Sequence, residues 1–413
     1  MRFVVAIFEQ LVPISGGGTP RTWHIVHALS KRGHEVHVAA AFGVDKVTAQ
    51  SQLGCADILA LRHVSRLDSR KMLKYLFVYP WNVLRLALYV WQVKPDVIVS
   101  HNTVAAFGAL LGRTLSPGTI AVLDLTDLLF EYLESYSSMW MRMALALGRA
   151  IEHYAIGNSQ RIITISEAMR TILVQNHGVD HRKVDIIHDG VDCSLFEPRA
   201  AQALRRQISP QSQHICILHG VIDPQDDPMV LVQAAPEVLA RFPDTAFWWV
   251  GDGAAVPKLK QRATTLGLAG RFYFSGWIQQ NQVTDYINAS DLGIVVLPDV
   301  LSARGRVTLK EFEYWACGKP AVLPRLPALQ EIVPDGVASL FFTPGDPDDL
   351  AEKICTLLAD DAQRQQMGLN GRRMVVEHFD WPVLTEQLAE LCETYASAAH
   401  TGRTVPAPLG GDE

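Results

Sequence analysis

The sequence predicts two doubly wound α/β domains, on three observations. Strand-like and helix-like stretches alternate almost throughout, the pattern of parallel sheets covered by helices. The alternation pauses around residues 192–213, at Pro198, an Ala- and Gln-rich stretch and Pro210, and then restarts at HICILHG (214–220). A chain of 413 residues is also long for one core and suits two or three.

In chain order, RFVVAIF (2–8) gives the first strand. A Gly-rich loop follows, then a helix over 19–32 with Thr19 as N-cap, Pro20 at the first helical position and Gly33 as its stop. Strands are expected at 35–40, 96–100, 119–124, 161–166 and 183–188, so that six strands complete the first sheet. After the pause, 214–220, 245–251, 271–276, 291–298, 320–324 and 338–342 supply a second Rossmann-like sheet. The end of the chain reads as helices, the last starting at Trp381, followed by a polar Pro/Gly-rich tail. The expected divisions are 1–195, 196–380, a terminal helix over 381–400 and a disordered tail over 401–413.

The net charge of −6 argues against a dedicated nucleic-acid binder. The charge is uneven: residues 1–200 hold 20 Lys/Arg against 17 Asp/Glu, and residues 201–413 hold 17 against 26. Six separated cysteines read as small buried hydrophobes in a reducing cytosol, neither a disulfide frame nor a zinc site. The N-terminal apolar run is too short for a secretory signal and reads as a strand.

Residues 62–94 stand apart, with seven basic residues, one acid (Asp68) and a 19-residue stretch free of acids between Lys74 and Lys94. Pro80, Asn82 and Arg85 oppose a membrane span, since an Arg at mid-bilayer costs roughly 2.5–3.5 kcal/mol. Two readings stand side by side: an amphipathic helix resting on the anionic inner face of a membrane, or a helix covering the sheet with a solvated basic rim.

Chemistry-bearing residues follow the strands, where open sheets bind ligands. Ser15, Gly16, Gly17, Gly18 and Thr19 lead from a strand into a helix, so that bare backbone and helix N–H groups can approach a phosphate or sugar. A tight turn explains that loop equally well, and its spacing is not that of a dinucleotide site. His101, Asn102 and Thr103 end one strand, and Asp127 and Glu131 follow the next, placing polar groups on one rim. Further on, Arg304, Gly305 and Arg306 lead into a helix bearing Lys310 and Glu313 three residues apart. A cation beside a carboxylate at a helix entrance suits a nucleoside diphosphate, Lys310 meeting phosphate and Glu313 accepting from both ribose hydroxyls. An exposed ion pair is the plainer alternative.

Together these stretches resemble retaining glycosyltransferases of the GT-B fold, in particular glycosyltransferase family 4. The resemblance runs over about residues 2–395 and rests on SGGGTPR, HNT (101–103), ITISEAM (163–169), IIHDGVD (186–192), LHG (218–220), VGDG (250–253), FSGWI (274–278) and EYWACGKPAV (313–322). It implies two Rossmann-like domains facing across a cleft, acceptor side first and donor side second, with the terminal helix returning to the first domain. The implied reaction moves a sugar from a UDP- or GDP-linked donor to a glycan, lipid-linked or small-molecule acceptor, with retention and without a cofactor or bound metal. His101, Asp127 and Glu313 are its implied catalytic residues. The donor would be held by Gly17, Gly18, Gly220, Gly251, Gly253, Ile278, Arg304, Arg306, Lys310 and Glu313. Such an enzyme belongs in the cytoplasm, at the inner face of the cell membrane if 62–94 docks there, and has no nucleic-acid partner.

Departures from the family pattern bear on activity. Gly305 replaces the first of two paired glutamates, and Asp189 stands where Asn is common. Val221 and Asp226 occupy the positions where the family offers Arg and Lys to the diphosphate. Each lost charge-assisted contact removes about 1.5–3 kcal/mol, and Arg304, Arg306 and Lys310 are the expected replacements. These losses motivate a second reading, a non-catalytic GT-B protein that binds a partner or glycan. A GT-B epimerase or phosphorylase is a third.

Overall fold

The computed structural model describes residues 1–14, 17–62, 71–128 and 139–401. Ser15 and Gly16, residues 63–70 of the basic segment, Glu131 and the tail from 402 lie outside the described residues, as do the side chains of 71–76. The chain divides into two compact units, one of Met1–His188 with Pro382–Glu413 and the other of Asp189–Trp381. The division falls before residue 195 because Val191 N–H donates to Phe379 O at 2.9 Å, Trp381 N–H returns to Val191 O at 3.1 Å, and Cys193 N–H meets the Asp380 carboxylate.

Unit 1 runs β1 (Arg2–Val12), α1 (Thr19–Lys31), β2 (Glu35–Phe42), α2 (Lys46–Leu53), β3 (Asp57–Ala60), α3 (Lys71–Val93), β4 (Val97–His101), α4 (Thr103–Leu115), β5 (Ile120–Leu125), α5 (Met139–Asn158), β6 (Arg161–Thr164), α6 (Glu167–His177) and β7 (Val184–Ile186). The parallel sheet has the order β3-β2-β1-β4-β5-β6-β7. Seven strands replace the expected six. The extra one, β3, is a four-residue edge strand with only Ile58 fully buried, too short and too polar at its ends to announce itself. One face of the sheet buries Val4, Ala6, Ile98, Leu123 and Ile162 and the other Phe3, Val5 and Val99, apolar on both faces as a helix-covered parallel sheet requires.

Helix α1 begins one residue earlier than its capping pattern suggests. Gly18 is the N-cap, and Thr19, fully buried, is already helical and makes no cap. Glycine stands at the cap because any side chain there would strike His101, as described below. The terminal helix Trp381–Thr401 packs on unit 1: Arg32 forms ion pairs with Glu386 and Glu393, and the Tyr395 hydroxyl donates to the buried Asp185 carboxylate.

Unit 2 runs α7 (Gln202–Ile208), β8 (His214–His219), α8 (Met229–Arg241), β9 (Thr245–Val250), α9 (Val256–Thr265), β10 (Phe272–Phe274), α10 (Gln280–Ala289), β11 (Leu292–Ile294), α11 (Leu301–Arg304), α12 (Leu309–Ala316), β12 (Ala321–Pro324), α13 (Pro327–Ile332), β13 (Ser339–Phe342), α14 (Pro347–Ala359) and α15 (Asp361–His378). All six strands fall within the predicted stretches, in the order β10-β9-β8-β11-β12-β13. Both sheets therefore reverse direction once, between β1 and β4 and between β8 and β11. A doubly wound sheet opens its ligand crevice at the carboxyl ends of such a strand pair.

Candidate functional site

In unit 1 the loops after β1 and β4 flank that reversal, and each carries a predicted residue. His101 ends β4, is buried, and donates from Nδ1 to Asp124 Oδ2 at 2.9 Å. Its other ring nitrogen faces Gly18: a Cβ built on Gly18 would lie 1.7 Å from Nε2. Gly17 has φ +63, a conformation glycine adopts without strain. The Gly-rich loop is thus a close approach of backbone to imidazole, more than a tight turn requires.

Asp124 at the end of β5 is held in turn by Arg21, whose Nε lies 2.9 Å from Oδ1 while Nη1 donates to His188 O at 2.8 Å. Arg21 and Asp124 are almost wholly buried, and such a pair persists only when each charge is answered. Desolvation pulls His101 down, but the hydrogen bond and charge of Asp124 outweigh it and raise the imidazole pKa. Desolvation likewise opposes ionisation of Asp124, yet Arg21 and His101 hold it below the usual carboxylate range. The sequence does not single out Arg21 or Asp124, although Arg21 closes SGGGTPR and Asp124 ends the expected strand 119–124. Asp127, which it does single out, lies two residues beyond β5 and is half-buried.

In unit 2 the loops after β8, β9 and β10 are laced into one floor. Gly220 N–H donates to Val250 O, Ile222 N–H to Asp252 O, and Gly251 N–H to the Ser275 hydroxyl at 3.1 Å. Cβ atoms on Gly251 and Gly253 would fall 2.0 Å from Gly220 O and 2.3 Å from Ile222 O, so these glycines are required for the loops to meet. Ile278 is half-buried in the loop after β10, next to Trp277, which is 52% exposed.

The loop after β11 leads into α12, whose first turn is fixed by a capping box. Thr308 N–H donates to Glu311 Oε1 at 2.6 Å, and the Thr308 hydroxyl donates to the same carboxylate while accepting from Lys310 N–H. Lys310 reaches back toward Gly220, its Cε 3.3 Å from where a Cβ would stand. Lys310 also lines a small pocket with Val221, Ile222, Asp226 and Val296.

Arg306 Nη1 pairs with Asp226 Oδ1 at 3.1 Å, and Lys310 Nζ lies 4.0 Å from Oδ2. The acid that replaces a family cation therefore gathers two others. Arg304 does not join them. It pairs with Asp299 on the surface, its side chain 52% exposed, so the expected trio comes down to two.

Glu313 is buried, with Oε2 3.1 Å from His219 Nε2. The distance is short, but that imidazole nitrogen is not aligned for a hydrogen bond and has no partner among the described residues. Burial pushes Glu313 up to about 8, against the opposing pull of Lys310. Burial, then the charge of Lys310, pushes His219 down to about 3. His219 was not in the sequence-derived set; its place at the last position of β8, one residue before Gly220, was the available signal.

Among the described residues no cluster of three or more His, Cys, Asp or Glu side chains could hold a metal ion.

Residues 15–195 match the family model described as Glycosyltransferase Family 4, and residues 213–360 match Glycosyl transferases group 1, so that the two models together cover most of the chain. The chain belongs to the glycosyltransferases of family 4, group 1. D-inositol 3-phosphate glycosyltransferase 2 of Catenulispora acidiphila is 30% identical over 253 residues, covering 58% of this chain and 57% of that one. D-inositol 3-phosphate glycosyltransferase of Mycolicibacterium smegmatis is 30% identical over 209 residues, 50% of this chain and 47% of the relative. This family 4 chain thus spans about half the length of the curated relatives it matches.

Among solved structures, sucrose-phosphate synthase of Thermosynechococcus elongatus superposes with a TM-score of 0.77 at 18% identity, over 96% of this chain and 99% of the other. HepE of Anabaena, solved in complex with UDP, gives 0.72 at 20% identity, over 95% and 100%. The fold is GT-B.

Proposed function

We propose that this glycosyltransferase-family chain moves a sugar from a nucleoside diphosphate donor to a glycan, lipid-linked or small-molecule acceptor, with retention of anomeric configuration and without a metal or other cofactor. The observation that carries this reading is the buried Glu313 beside Lys310, one turn into a capped helix that follows the strand at the sheet reversal. Glu313 as a carboxylate accepts from the two ribose hydroxyls, and Lys310 with Arg306 meets the diphosphate. The glycine floor of Gly220, Gly251 and Gly253, with the backbone at Ile278, leaves room for the base. Family membership supports the activity, and the UDP bound to HepE supports a uridine donor over a guanosine one. The inositol-phosphate relatives support a small-molecule acceptor.

His101, held by Asp124, and Asp127 serve the acceptor side, with Gly17 and Gly18 keeping the backbone close. The bond from the anomeric carbon to the leaving phosphate oxygen breaks, and the acceptor oxygen attacks on the same face. The acceptor proton passes to the departing diphosphate, so no enzyme nucleophile is required. Preorganised cations at the phosphates carry the charge that develops. A cytoplasmic setting fits the six buried free thiols.

Donor-dependent release of nucleoside diphosphate is expected to vanish in Glu313→Ala and to fall at least about tenfold in Lys310→Ala, the scale of one charge-assisted contact. Unchanged release in both variants overturns the site assignment. One observation favours the second reading, a binding protein without catalysis: Asp226 partly discharges Arg306 and Lys310, and Val221 adds no cation. Thermal stabilisation by UDP- and GDP-sugars separates the two, because absence of stabilisation by any donor supports the binding protein.

A further inference from the structure

Helix α3 covers its sheet with one side only. Leu86, Tyr89 and Val90 enter the core, and Asn82 is fully buried, exchanging hydrogen bonds with the backbone of Arg62. Gly108 and Gly112 of α4 admit α3 closely: a Cβ at Gly112 would stand 2.6 Å from Val90 Cβ. The opposite side is apolar as well. Phe77, Trp81, Leu84, Leu88 and Trp91 are each between 44% and 77% exposed. Their spacings of four, three, four and three residues place all five in a sector about 80° wide at 100° per residue. The neighbouring helices continue the character, with Leu111 and Leu115 exposed on α4 and Met143 and Leu147 exposed on α5.

The exposed charge on the described residues of these three helices has one sign. Arg62, Arg85, Lys94, Arg113 and Arg142 lie on or beside the three helices, and α3, α4 and α5 contain a single acid between them, Glu152, which is buried. Arg62 lies over the Trp81 ring, 5.3 Å from its centroid. No helix among the described residues is long and apolar enough to cross a membrane. An apolar stripe of Trp, Phe and Leu flanked by Arg and Lys matches a helix lying in the plane of an anionic lipid surface. A second copy of the chain is the other candidate for a stripe with this spacing. A two-fold contact would set this basic rim against itself, with no exposed acid among the described residues of α3, α4 and α5 to answer it.

We propose that the exposed face of α3, continued by α4 and α5, docks on an anionic lipid bilayer. This goes beyond the donor-site reading and rests on unit 1 alone. The full chain is expected to co-sediment with phosphatidylcholine vesicles containing phosphatidylglycerol, to bind pure phosphatidylcholine more weakly, and to be released by high salt. Trp81→Ser with Trp91→Ser should weaken binding at least about tenfold while leaving the circular dichroism spectrum unchanged. Arg85→Glu with Lys94→Glu should remove the preference for the anionic vesicles and keep the apolar component. No binding to either vesicle, or binding indifferent to lipid charge and salt, overturns the proposal. So does a dimer in solution that the tryptophan substitutions dissociate, because a second copy would then cover the face.

Discussion

Glu313 shows how far a single position can be read from physical chemistry. In the proposed role Glu313 accepts two ribose hydroxyls as its anion, yet burial pushes its pKa up to about 8 in the free protein. Nucleotide binding is then linked to loss of one proton. UDP affinity is expected to rise by up to about tenfold per pH unit below that value and to level off above it. His219 stays neutral throughout, since its own pKa is pushed down to about 3. The sign for stability is opposite. A raised carboxyl pKa contributes stability below the ordinary range near 4.5, and that contribution is lost as pH rises through about 8. Calorimetric titration with UDP across this range checks the first statement, and a flat affinity would refute it. The sequence announced Glu313 and Lys310 by spacing, and His101 by its place at a strand end. It did not announce Asp124 as the partner of His101, nor Arg21 as the partner of Asp124, since those contacts join residues 23 and 103 apart in the chain. Charge alone recommends Arg304, but its neighbour Asp299 takes it.

The elements were more legible than their ends. Every strand of unit 2 lies inside a stretch of apolar residues long enough to stand out, whereas β3 has four residues and a single fully buried side chain. Thr followed by Pro is a normal helix opening, yet α1 starts one residue earlier, with Gly18 as its cap, because the imidazole of His101 lies across Gly18. At α12 the opening is both readable and consequential. Thr308 caps a turn that carries Lys310, and Glu311 completes the box while buried, its carboxyl pushed up to about 7 by burial. Thr308→Ala is expected to cost about 1 kcal/mol of stability. It should also weaken nucleotide binding without touching the nucleotide, because the first turn frays where the cation is mounted. Urea denaturation read beside nucleotide titration tests both parts; normal binding in a destabilised protein would separate the cap from the site.

For the whole molecule, the pause in alternation located the transition between two sheets, and the reversal of strand order in each sheet accounts for where the predicted residues gather. The return of the terminal helix to unit 1 rests on specific groups. Asp185 is buried and accepts from the Tyr395 hydroxyl, and Glu393 is drawn down to about 2, chiefly by its hydrogen bond to Arg32. Tyr395→Phe removes one hydrogen-bond donor to that buried carboxylate and is expected to cost about 1 kcal/mol, seen as a lower midpoint in thermal unfolding. An unchanged midpoint would show that the phenol hydroxyl adds nothing to the ion pairs of Arg32 and the apolar packing that hold the helix.

The order in which the chain is written has a further effect during synthesis. All of Asp189–Trp381 is contiguous, so the second unit can close as soon as it has been translated. The first unit, although begun earlier, is completed only when its last segment follows, and until then Asp185 waits for a phenol more than two hundred residues downstream. A stop codon between Trp381 and Tyr395 would therefore damage the amino-terminal unit and leave Asp189–Trp381 intact.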